Sequence, residues 1–159
     1  MALKYISDEI IERVIEAYES DDDKFFADQD ALTNEQAAID ALFTDESLDL
    51  LNDDEFELLW FIATVIYTSM KEVNKTMPHA DPEKVIAYDE KNWEVFENAQ
   101  GSFREKITCF YEEYEQEDLL AFVEDCLDTD DEDDDVDITS TGRELIFISC
   151  KTMIDVLGE

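Results

Sequence analysis

Apolar residues recur along this chain at intervals of three and four, the spacing that lines one face of a helix. Near the amino end, Ile11, Val14, Ile15 and Tyr18 follow Ser7, a capping residue, and Asp8 and Glu9, which suit a helix's positive end. The polar run 20–23 predicts the end of that helix. Thr33 and Gln36 have capping-box spacing ahead of Ile39, Leu42 and Phe43 and predict a short second helix, with a further turn around 48–51. The strongest signal opens at Asn52 and continues through Phe56, Leu59, Trp60, Ala63, Val65, Ile66 and Tyr67 to Lys71 and Lys75. Acids lead this segment and bases close it, as the helix dipole favours. Leu58, Ile62 and Val65 widen its apolar surface beyond one stripe, so a helix over 52–75 is expected to run through the middle of the domain.

Asp81-Pro82 supplies a cap and a first-turn proline for the next helix, with Val85, Ile86, Trp93 and Phe96 on its core side. After a break at Gly101, the spacing of Phe103, Ile107, Phe110, Tyr111 and Tyr114 predicts one continuous helical face. Leu119, Phe122, Val123, Cys126 and Leu127 predict the next. Thr139 or Ser140 is placed to cap a last helix bearing Leu145, Ile146, Phe147, Ile148, Met153, Ile154, Val156 and Leu157. Three Gly and two Pro are too few for the turns of a many-stranded sheet. The expected fold is therefore all-α: a single compact, bundle-like domain over residues 1–159, with six to seven helices and a central hydrophobic one.

Charge changes what such a domain can touch. Asp and Glu number 45 against 11 Lys and Arg, a formal net charge of −34. No Lys or Arg occurs in residues 25–70 or 107–142, and those two spans hold 26 of the 45 acids. Direct binding to nucleic acid or to an anionic membrane surface is disfavoured, because both rely on basic residues neutralising phosphate. Disorder is disfavoured as well, since 45% of the residues are hydrophobic and the aromatics include ten Phe, six Tyr and two Trp. The most apolar stretch, residues 58–70, is too short for the ~20 residues of a spanning helix and is expected in the core. Residues 1–8 lack the arrangement of a secretory signal. Three widely spaced cysteines, Cys109, Cys126 and Cys150, match neither a disulfide framework nor a zinc pattern, and reduced thiols in a cytoplasmic protein are expected.

The usual signatures of catalysis are missing. His79 is the single histidine, so no multi-histidine metal site can be built, and Glu-x-x-His does not occur. The glycines stand alone at 101, 142 and 158, which disfavours phosphate-cradling loops. Neighbouring carboxylates are plentiful by chance and carry no information about acid/base chemistry. Residues 128–137 are eight-tenths acidic, yet a calcium-loop register starting at Asp128 puts Asp133 where glycine is needed and Thr139 where a bidentate Glu is needed. The run is expected to be an exposed acidic loop at 128–138. No catalytic residue, cofactor or metal site is expected.

What remains is recognition. An acidic surface without interspersed bases resembles a phosphate array, so a basic protein partner is expected. Inhibitors that mimic DNA and immunity proteins for nuclease toxins share this charge character. No motif places the chain in either group, so the comparison is one of charge alone. Charge serving solubility or a saline environment is the alternative, and a carboxylate-based enzyme a third. Tyr111 and Tyr114 beside Glu112, Glu113 and Glu117 form one candidate partner surface; Asp130, Asp131, Asp133 and Asp134 of the acidic run form another.

Overall fold

The computed structural model describes residues 3–128 and 138–158, which are all-α with no strand among them. In order come α1 (Asp8–Ser20), α2 (Asp22–Glu35), α3 (Ala37–Phe43), α4 (Asp53–Val73), α5 (Pro82–Asn98), α6 (Phe103–Ile107), α7 (Glu117–Leu127) and α8 (Ser140–Gly158). Short 3₁₀ turns occupy Glu46–Leu50 and Thr108–Tyr111. Every helix contributes to one hydrophobic core, from Ile11 on α1 through Leu32, Ile39, Ile62, Val85, Ile107 and Leu119 to Phe147 on α8.

Among the described residues eight α-helices stand where six to seven were expected. The additional one is α2, whose cap is Asp21: its side chain accepts from the Lys24 backbone N–H. The polar run at 20–23 does end α1, but the same residues start another helix at once. Thr33 consequently lies inside α2, and Gln36 precedes α3 without a side-chain cap. The buried Gln36 amide is used elsewhere: its Nε2 donates to the Pro78 carbonyl at 2.7 Å and its Oε1 accepts from Ala80 N–H at 2.9 Å, pinning the connection before α5.

Helix α4 opens with a full capping box, Asn52 accepting from Glu55 N–H while the Glu55 carboxylate accepts from Asn52 N–H. It ends at Val73, two residues before Lys75, and packs against α1, α2, α7 and α8. Helix α8 is equally enclosed, lying against α5, α4, α7 and α3. Its Thr139 cap accepts from Gly142 N–H through Oγ1. Helix α5 begins as its sequence dictates, with Asp81 at the cap and Pro82 in the first turn.

The continuous face expected over Phe103 to Tyr114 is interrupted. Helix α6 stops at Ile107, a 3₁₀ turn follows, and Glu113 takes a left-handed φ of 55° in the next connection. Phe103 and Phe110, on either side of that interruption, both pack against Phe147, with ring centres 5.6 and 5.8 Å from its own.

Candidate functional site

Between α3, the Glu46–Leu50 turn and α5 lies a groove of about 650 Å³ with an apolar floor and an acidic rim. Leu42, Leu48, Val85, Ile86 and Trp93 provide the floor, while Asp45, Asp89 and Glu90 provide the carboxylates. No Lys or Arg lines it. Each element has a local reason for its part. Ala37 and Ala41 on α3 add no bulk to its wall. Asp45 caps the 3₁₀ turn, accepting from Ser47 N–H at 3.0 Å and Ser47 Oγ at 2.7 Å. Helix α5 turns Val85 inward and leaves Ile86 on the open side, 59% exposed.

The rim carboxylates are electrostatically unequal. Hydrogen bonds from Ser47, its hydroxyl first, hold Asp45 below its usual value. Burial, followed by the negative charges of Asp45 and Glu90, pushes half-buried Asp89 upward. The Asp89 carboxylate makes no hydrogen bond or ion pair with any described residue. An arriving cation would relieve this cost.

The sign of that shift makes a stability prediction. A carboxyl whose folded-state pKa is raised destabilises the fold when ionised, and the cost fades as pH falls through the folded value towards the ordinary one near ~3.9. Asp89→Asn is therefore expected to raise the melting temperature at neutral pH by an amount below about 1 kcal/mol in stability. The gap from the native chain should close at pH values below the ordinary carboxylate range. Thermal melts of both proteins from neutral to acid pH check this; a variant less stable at neutral pH would contradict it.

A second apolar surface lies over α2 and α4, where Phe25, Phe26, Phe56, Leu58, Trp60 and Phe61 border a groove of about 630 Å³ with Asp54 and Glu57 beside them. Phe26 is 60% exposed and packs edge-on against Phe25, with ring centres 5.5 Å apart. This groove also has no basic lining residue.

The residues singled out in sequence occupy a different part of the surface. Glu112, Glu113 and Glu117 are exposed on the connection into α7 and in its first turn. Tyr111 and Tyr114 are half-buried with their hydroxyls engaged inside the fold, Tyr111 donating to Glu124 at 3.3 Å and Tyr114 to Asp155 at 2.6 Å. Burial, then the adjacent carboxylates, drives both phenols well above their ordinary range. Asp130, Asp131, Asp133 and Asp134 lie outside the described residues, as does most of the acidic loop at 128–138. His79 is exposed in the α4–α5 connection, its ring Nδ1 3.1 Å from the Glu35 carbonyl.

Tyr114 leads into a buried polar cluster. Lys151 on α8 is 6% exposed; its ammonium donates to Asp155 at 2.8 Å and Asn92 at 3.1 Å. Asn92 in turn donates to Asp155 and Thr152, and the Lys151 ammonium lies over the Phe110 and Tyr114 rings. Every charge here has an internal partner, so the cluster ties α8 to α5 and to the 111–116 connection. Among the described residues no group of three or more His, Cys, Asp or Glu is placed to hold a metal ion. No helix among them is long and apolar enough to cross a membrane.

Fold and surface together define an acidic helical domain with apolar grooves. Compared with protein-family models, curated proteins and solved structures, the chain has no significant match in any of the three. Its function must be read from its own residues.

Proposed function

We propose that the protein is a non-enzymatic binding protein whose acidic surface docks a basic protein partner, of inhibitor, immunity-like or nucleic-acid-mimic type. The observation that carries this reading is the groove beside α5, which joins an apolar floor to Asp45, Asp89 and Glu90 with no base in its lining. Apolar contact supplies affinity, and carboxylates of one sign select a cationic partner and speed its approach. A partner built to hold phosphates would meet the same sign of charge here. Three free cysteines, one of them exposed at Cys109, support a reducing, cytoplasmic setting.

Charge reversal tests the reading on association kinetics with a basic protein retained from cell lysate. Lysine at Asp45 and Glu90 together, or at Glu112, Glu113 and Glu117 together, is expected to slow association by about tenfold at low salt, for whichever set borders the contact, and to flatten its salt dependence. Unchanged kinetics in both sets would remove both surfaces from the proposal.

A further inference from the structure

Resting on that reading, we infer that the groove between α3, the Glu46–Leu50 turn and α5 receives a cationic amphipathic helix of the partner. Its apolar stripe lies on Leu42, Leu48, Ile86 and Trp93, and its Lys or Arg residues reach Asp45, Asp89 and Glu90.

The floor and rim fit this occupant in three ways. The space, about 650 Å³, is within the range of pockets that take several side chains, and Ile86 at its open side already presents 59% of its surface to water. Most of the wall comes from α3, α5 and α8, and the described residues contain no strand. An extended peptide would bring N–H and C=O groups with no strand edge to pair with, whereas a helix arrives with its backbone bonds already made. The rim decides the sign. Asp89 is half-buried beside Asp45 and Glu90 with no ion pair to any described residue, so a Lys or Arg at the edge of an apolar stripe supplies a counter-charge.

A second copy of this chain is the wrong occupant. Each copy carries a net charge of −34, and α5, which bears Lys84 and Lys91, carries more acids than bases. The stripe therefore comes from a different, basic protein.

The test uses the full chain and a synthetic Lys/Leu peptide of about four helical turns with leucines at i, i+3, i+4 and i+7. A scrambled peptide of the same composition, with no apolar stripe, is the comparison. Binding is read by calorimetry and by the fluorescence of Trp93 in a Trp60→Phe background. The striped peptide is expected to bind in a saturable one-to-one fashion, at least about tenfold more tightly than the scrambled one. Ile86→Glu and Asp89→Lys should each weaken it by about tenfold or more, while Glu12→Lys on the exposed side of α1 leaves it within about twofold. Melting curves establish that each variant is folded; Ile86→Glu alters a side chain that is already exposed.

Equal binding of the two peptides, or equal losses from Asp89→Lys and Glu12→Lys, would overturn the helix-in-groove assignment and leave general acidic docking standing. Failure of both peptides to bind at low salt would overturn the assignment and the basic-partner reading together.

Discussion

Asp155→Ala is expected to cost about 3–5 kcal/mol of unfolding free energy, the range found when one member of a buried ion pair is removed. Lys151 and Asp155 lie one turn apart on α8 with side chains 8% and 9% exposed. Without Asp155, the Lys151 ammonium keeps one hydrogen bond, to Asn92, and two ring faces. Neither replaces a counter-ion in a site closed to water. Tyr114 Oη and Asn92 Nδ2 lose an acceptor at the same time. A domain of this size has a total stability of about 5–15 kcal/mol, so about a fifth or more is at stake. Urea titration measures the loss. Replacing both charges, Lys151→Met with Asp155→Leu, should cost clearly less than Asp155→Ala alone, because no isolated charge is then left inside. A loss below about 1 kcal/mol for Asp155→Ala would show that the pair is hydrated and not a buried link.

Gly142→Ala is expected to destabilise by about 2–4 kcal/mol, although glycine to alanine within a helix ordinarily stabilises by about 0.4–1 kcal/mol. The reversal of sign comes from Glu55. That carboxylate is fully buried; its Oε1 accepts from Asn52 N–H at 2.9 Å, and its Oε2 accepts from Thr139 N–H at 2.8 Å and Thr139 Oγ1 at 2.9 Å. One side chain thus closes the start of α4 and holds the start of α8. A Cβ on Gly142 would fall on the Glu55 carboxylate, so alanine must drive it out and strand its three donors. The double variant Glu55→Ala/Gly142→Ala should be no less stable than Glu55→Ala, since the clash vanishes with the carboxylate. Strict additivity of the two single losses would contradict this coupling.

The helix starts that hold these contacts were legible where a cap and its neighbours stand together in sequence, as at Asn52, Asp81-Pro82 and Thr139. Helix α2 was hidden because it has no apolar stripe: Leu32 is its one buried residue, and Phe25 and Phe26 are adjacent and not helically spaced. Its start is set by Asp21, a residue equally suited to ending α1. Lys151 and Asp155, four apart in the otherwise apolar run from Leu145, carried a readable sign of a buried pair, and Gly142 inside a predicted helix carried another. The groove was out of reach. Its walls come from Leu42, Leu48, Ile86 and Leu145, on four elements of which only the first two are consecutive in the chain. Ile86 read as a core residue by spacing, and only the position of α5 against α3 and α8 leaves it in the open.

We propose that acidic charge recruits a basic protein. That recruitment is tested most directly by using the full chain as bait in lysate of the source cells, washed at about 0.05 M and at about 0.5 M salt, with retained proteins identified by mass spectrometry. A basic protein retained at low salt, released at high salt and lost from bait with lysine at Asp45, Asp89 and Glu90 is the predicted result. Retention of an acidic or neutral partner with no response to salt would contradict the account, as would the absence of any specific partner at low salt.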